Sequence, residues 1–359
     1  MNIKNKEPAR KVSAATKRAA NYNKGPNWFC EFRYSSVNGL GYEEEVNRRD
    51  PSSVIKVGDS SYVWYTKSVG PHFGFGTGDA ETKVWPWDKS DVWYATSPDG
   101  VNWTEQGMAV GRGQEGEFDD RSVFTPDILA HDGKYYLVYQ TVQAPYLRRT
   151  KNTIGMAIAK SPDGPWRKVK HPILQASDTG EWLGEEDNRF LVKSKGDFDS
   201  HKVHDPSLFY YRDQYWLYYK GEPMGEEMFF GGRETKWGVA ISDKPEGPYM
   251  RSEFNPITNS GHETLLWHYK GGIAALLTTD GPEKNTIQYA PDGLNFEIMA
   301  VIKNPPQAGG PFRPDNRDRD PLEGLRWGLC HVIGSWGFIQ RFEVNERQKN
   351  LYLAKKSIV

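Results

Sequence analysis

One phrase recurs four times along this chain, and it limits the fold more than any other feature. A β-rich run ends in Pro-Asp-Gly or Pro-Glu-Gly, and an aromatic follows within a few residues. It reads Ser97-Pro98-Asp99-Gly100 with Trp103, and Ser161-Pro162-Asp163-Gly164 with Trp166. It returns as Lys244-Pro245-Glu246-Gly247 with Tyr249, and as Ala290-Pro291-Asp292-Gly293 with Phe296. Asp-Gly between β-rich runs is a strong hairpin signal. Each copy follows a second phrase, in which an acidic start leads through an apolar run and a polar turn to a second apolar or aromatic run. Its acidic members are Asp50, Asp127, Asp205 and Glu263. The two phrases together describe a unit of about four strands, repeated over residues 50–302. The stretch from Arg326 to Ala354 can supply a fifth. Four-stranded units repeated radially are the blades of a β-propeller, so the expected fold is all-β and five-bladed. Gly and Pro, 59 residues together, supply the turns.

A propeller lines its central channel with the first strand of every blade. The repeat therefore predicts Asp50, Asp127, Asp205 and Glu263 around one funnel. Carboxylates that face one another in a partly dry channel have their pKa values pushed apart by burial and like charge. Cleavage of a glycosidic bond needs such a pair, one group giving a proton to the leaving oxygen while another activates water or attacks carbon. Aromatics at 13% suit the stacking of sugar faces. His204 and His262 directly precede Asp205 and Glu263, and a histidine there is either a proton donor or a structural hydrogen-bonder.

The remaining composition excludes other classes. Lys and Arg number 46 against 47 Asp and Glu, without the basic excess of a general nucleic-acid binder. Mean hydropathy is −0.74, and no apolar run approaches the length of a membrane span. The run Gly74-Phe75-Gly76-Thr77-Gly78 is not followed by a helical pattern, so it is no phosphate loop. Cys30 and Cys330 are too few for a disulfide framework or a zinc signature and are expected as free thiols. No metal-ligand set stands out, so no catalytic metal or other cofactor is expected. The first residues lack the apolar core of a secretory leader. As it stands the chain is expected in the cytoplasm, or in the periplasm if a leader has been removed.

Residues 1–24 carry seven basic side chains and one acidic one, which leaves −7 on the rest of the chain. Within them, Ser13 to Ala20 is Ala-rich and predicts a short helix with Ser13 as its N-cap. A helix this short is marginal alone and should dock on a surface. The expected organisation is a helical dimerisation segment and linker over 1–27, with Gly25-Pro26 as hinge, and a propeller over 28–359.

Several of these motifs together resemble glycoside hydrolase family 117, the α-1,3-L-neoagarooligosaccharide hydrolases. They are Arg48-Arg49-Asp50-Pro51-Ser52, Phe124-Thr125-Pro126-Asp127-Ile128, Lys202-Val203-His204-Asp205-Pro206-Ser207-Leu208, Asn259-Ser260-Gly261-His262-Glu263 and Thr278 to Thr286. Ser13, Ala15 and Arg18 resemble the family's helical segment, which swaps between the subunits of a dimer. The resemblance implies a five-bladed propeller and inverting release of 3,6-anhydro-L-galactose from the non-reducing end. It implies Asp50 as general base, Asp205 as the carboxylate that tunes the acid, and His262 as general acid. It implies substrate contacts at Thr125, Asp127, Gln140, His204 and Glu263. Glu263, beside His262, is a rival for the acid role. Position 127 departs from the Glu common in the family, which points to a different red-algal galactan fragment as an alternative substrate. Some members hold a divalent ion in the axial channel. Two function classes stay open: an exo-acting glycosidase, and a carbohydrate-binding propeller without catalysis.

Overall fold

A computed structural model describes residues 11–21, 29–76, 81–229, 232–313 and 324–344. Five antiparallel blades surround one axis. Blade 1 pairs Val46–Arg49, Ser60–Val69, Asp91–Ser97 and Thr104–Val110 in that order. Blade 2 uses Ser122–His131, Lys134–Val142, Thr153–Ala159 and Arg167–Lys168. Blade 3 uses Lys202–Tyr211, Gln214–Glu222, Lys236–Ser242 and Met250–Arg251. Blade 4 uses Glu263–Tyr269, Gly272–Thr278, Thr286–Ala290 and Glu297–Lys303. The recurring Pro-Asp-Gly and Pro-Glu-Gly phrases fall between the third and fourth strands of these blades. Their glycines take φ between +73° and +95°, a region that costs glycine little. Asp99 and Asp292 close their turns by accepting two backbone N–H groups each, at 2.7–2.9 Å.

Blade 5 joins the two ends of the chain. Gly310–Pro311, Trp327–Val332 and Phe338–Val344 form its inner strands, and Phe29–Ser36 is its outer one. Phe32 to Ser36 pair antiparallel with Gln340 to Val344, while Phe29 to Glu31 pair in parallel with Val301 to Lys303 of blade 4. The amino-terminal strand thus ties the last blade to its neighbour. The repeat did not reveal this, because Phe29–Ser36 stands before the first acidic phrase and carries no turn signal.

The core is a ring of five inter-blade clusters. Trp64, Val92 and Val110 meet Ile128, Leu137 and Tyr139 between blades 1 and 2. Val138 and Met156 meet Leu208 and Leu217 between blades 2 and 3. Phe209 and Trp237 meet Leu266 and Ile273, Leu265 and Trp267 meet Cys330 and Phe342, and Leu329 and Ile339 meet Val63 and Trp103. Each fully buried side chain of this size contributes roughly 1.5–3 kcal/mol. Every blade has two neighbours, so one cavity in any cluster loosens the whole ring.

The helix Ala14–Asn21 packs on the outside of this ring, beside blade 4. Ser13 caps it by accepting the N–H of Thr16 at 3.2 Å. The Gly25-Pro26 hinge and the side chain of Cys30 lie outside the described residues; Cys330 is a free, buried thiol.

Candidate active site

Proline shapes the mouth of the channel. Asp50, Thr125 and Asp205 each precede a proline and each take φ near +48°, an uncommon conformation for residues other than glycine. Proline has no N–H to give the ladder, and the pairing slips there. Phe124 pairs with Gln140 but Asp127 with Val138; His204 pairs with Lys220 but Ser207 with Tyr218. One residue is left over in each case, which is a β-bulge, and a bulge re-aims the side chain it carries. The three left-handed residues are therefore equivalent, and they turn their side chains into the mouth.

All four carboxylates that the sequence places around one funnel, Asp50, Asp127, Asp205 and Glu263, line one cavity, and the register sets how they are arranged within it. Thr125, not Asp127, is the blade 2 counterpart of Asp50 and Asp205, because both alternatives adjoin the same Pro126 and only the pairing separates them. Asp127 matches Ser207 and lies deeper, in the axial channel. Its oxygens accept from Ser53 N at 3.0 Å, Ser207 Oγ at 2.7 Å and Arg313 Nη2 at 2.6 Å. It thereby bolts its own blade to three others and lies outside the lining of the mouth. Among the described residues no cluster of three or more His, Cys, Asp or Glu side chains could hold a metal ion.

The mouth itself is a cavity of about 100 Å³. Asp50, Thr125, Gln140, His204, Asp205, His262 and Glu263 all line it. Trp87 and Tyr146 form part of its apolar wall.

Asp50 is buried and held from two sides. Its Oδ1 accepts from His331 Nδ1 at 3.0 Å and sits 3.7 Å from the Arg49 guanidinium, while its Oδ2 accepts from Thr66 Oγ1 at 3.2 Å. Burial alone would raise its pKa. Arg49, His331 and Thr66 outweigh burial and bring it from 3.8 down to about 2. Asp50 is therefore an anion at neutral pH. Asp205 faces it from blade 3, with Lys220 Nζ at 2.5 Å from its Oδ2.

His262 stands just before the inner strand of blade 4. The sequence reading places His262 and Glu263 on opposite sides of a strand. Both line the mouth instead, because the strand begins only at Glu263 and follows Gly261 at φ +111°. His262 Nδ1 lies 2.6 Å from Asp280 Oδ2, and Nε2 is 3.9 Å from Glu263 Oε1. Burial would raise the Asp280 carboxyl, but the His262 contact outweighs it and lowers it. An anionic Asp280 accepts from Nδ1, which fixes the ring's orientation and leaves Nε2 on its other edge.

His204 is buried among charged groups. Burial and then Lys220 push its pKa down to about 4, so it is a neutral ring at pH 7. Its Nε2 is 3.1 Å from Glu222 Oε1 without the alignment of a hydrogen bond. Arg233 at 2.6 Å and Lys202 at 3.5 Å keep the buried Glu222 ionised against its desolvation. Two further buried atoms of mouth-lining residues, Arg49 Nε and Asn152 Oδ1, have no partner within the described chain. A polar ligand could satisfy them, since a buried group left unpaired costs about 1–3 kcal/mol.

Sequence reasoning missed Asp280, His331 and Lys220. Asp280 lay inside a quoted motif, and His331 inside the stretch assigned to the fifth blade. Neither sits beside an acidic strand start, so nothing local marked them.

Comparisons with known proteins agree with the propeller fold. Residues 45–202 match the family model for glycosyl hydrolases family 43. Among solved structures, the chain is similar to Zg3597, a family 117 glycoside hydrolase from the marine bacterium Zobellia galactanivorans. Identity is 34%, coverage 89% of this chain and 92% of that one, and the TM-score 0.73. It is more distantly similar to a thermostable family-43 glycoside hydrolase, at 15% identity, 87% and 92% coverage and a TM-score of 0.50. The GH43_1 enzyme from Xanthomonas citri stands at 13%, 86% and 90%, and 0.51. These two share the propeller fold. No curated protein matches the chain.

Proposed function

The chain belongs to glycoside hydrolase family 117, and from that premise we propose that it is an exo-acting, inverting α-1,3-glycosidase. Its substrates are neoagarooligosaccharides, and it releases 3,6-anhydro-L-galactose from their non-reducing end. The observation that carries the reading is one mouth lined by an anionic Asp50 and by a His262 held by Asp280. Asp50 takes a proton from water as the water oxygen bonds to the anomeric carbon. The bond from that carbon to the bridging oxygen breaks with its electron pair, and His262 Nε2 gives that oxygen its proton. Asp205, restrained by Lys220, faces the positive charge that develops on the sugar. Thr125, Gln140, His204 and Glu263 contact hydroxyls. The step uses no metal or other cofactor.

The alternative substrate is a different red-algal galactan fragment, on the Asp in place of Glu at position 127. Incubation with neoagarobiose, followed by chromatography, should yield free galactose and anhydrogalactose. Proton NMR should show the first-formed anomer inverted. Binding of the disaccharide without products would instead identify a silent carbohydrate-binding propeller.

The protein is further proposed to be a homodimer that exchanges its amino-terminal helices, with Arg18 making the charged contact. Within one chain that contact is made to Glu283, and a neighbour's helix would meet the same groove. Light scattering at micromolar concentration tests it, and a monomer would refute exchange.

A further inference from the structure

The helix Ala14–Asn21 does not line the mouth, yet it rests on the two segments that hold the proposed acid. His262 ends one segment and Asp280 lies in the other. The two are laced together: Gly261 N donates to Asp280 O at 3.3 Å, His262 N to Thr278 O at 3.2 Å, and Glu283 N to Ser260 Oγ at 2.7 Å. Gly281 packs so closely on Ser260 that an added Cβ would lie 2.4 Å from Ser260 Oγ. Thr279 and Asp280 take φ of 51° and 20°. Side-chain-bearing residues stay in such conformations only when their surroundings hold them there.

The amino-terminal helix is part of those surroundings. Ser13 Oγ donates to Pro256 O at 2.8 Å, and Asn259 Nδ2 donates to Ala15 O. Arg18 reaches Glu283 with a two-pronged contact, Nε to Oε1 at 2.9 Å and Nη2 to Oε2 at 3.1 Å. It also donates to Gln288 Oε1 at 3.1 Å and to Phe296 O. The Arg18 and Glu283 side chains are only 9% and 11% exposed. Asn259 is three residues from His262, and Glu283 is three from Asp280.

We propose that Arg18, through Glu283, is a positioning residue for the proton donor: docking of the amino-terminal helix sets the Asp280–His262 contact. The inference rests on His262 being the general acid. A bidentate, buried Arg–carboxylate pair has one geometry, so it transmits the helix position to the 279–283 segment with little play. Small displacements of a catalytic group are costly, up to about 10²-fold for 1 Å.

The test uses full-length Arg18→Met, which keeps the stem and removes the charge. Turnover of the natural disaccharide should fall about 10-fold with KM nearly unchanged, and turnover of an aryl glycoside that needs no leaving-group proton should fall less than about 2-fold. NMR should show the His262 Nδ1 proton, identified by its loss in His262→Ala, exchanging about 10-fold faster in the folded variant. Arg18→Lys keeps the charge but loses the fork, so it should show the same effects at smaller amplitude; it carries the test if Arg18→Met does not fold. Equal losses on both substrates, or an unchanged Nδ1 proton in a folded variant, would overturn the proposal. The NMR arm separates the two ideas. If no glycoside is cleaved, or His262→Ala costs equally on both substrates, the acid assignment fails. Faster exchange in Arg18→Met would still support the coupling.

Discussion

Asp50→Asn tests the catalytic centre most sharply, because it changes one charge and almost no volume. The carboxylate has three partners in the fold: the Arg49 guanidinium at 3.7 Å, His331 Nδ1 at 3.0 Å and Thr66 Oγ1 at 3.2 Å. Together they outweigh burial and lower its pKa from 3.8 to about 2. A depressed carboxylate stabilises the fold above its unfolded pKa, and that contribution is lost as pH falls through the folded value. At about 1.4 kcal/mol per tenfold, the ionised group is worth about 2 kcal/mol at neutral pH. The amide mimics the protonated acid. The variant should therefore be less stable than the parent by about that amount at pH 7, and the gap should close between about pH 4 and pH 2. Denaturant midpoints at several pH values measure it. Turnover should fall about 10²–10⁴-fold, or about 3–5 kcal/mol of barrier, while the sugar still binds. Near-normal turnover would refute the general-base role. A stability gap that stayed constant down to pH 2 would refute the electrostatic account.

An activated leaving group should rescue His262→Ala far more than Asp50→Asn, and rescue of Glu263→Gln instead would transfer the acid role to Glu263. Asp280→Asn should lower turnover of the unactivated disaccharide by at least about 10-fold with little change in KM, because His262 loses the carboxylate that holds its ring; a change in KM alone would count against the dyad. Arg313→Met leaves Asp127 buried without its cation and should cost about 3–5 kcal/mol of stability while the folded fraction keeps its KM. A KM effect without loss of stability would return Asp127 to the substrate.

Much of this molecule is written in local patterns. The Asp-Gly turns and aromatic strands specify four blades because a turn needs only a few neighbouring residues to define it. The motifs around Asp50, Asp205 and His262 mark the mouth for a related reason: each places its side chain at the start or bulge of an inner strand. What sequence alone could not decide depends on pairing across the sheet. Whether Thr125 or Asp127 faces the mouth follows from a one-residue slip at Pro126 that only the partner strand reveals. Phe29–Ser36 joins blade 5 through partners about 300 residues away. Asp280 gains its role when the first hairpin of blade 4 pairs and brings it beside His262, and His331 only when the ring closes and sets blade 5's inner strand beside Asp50. Local chemistry selects the elements; closure of the ring decides which side chains meet, because contacts across blades depend on register and curvature that no short stretch of chain encodes.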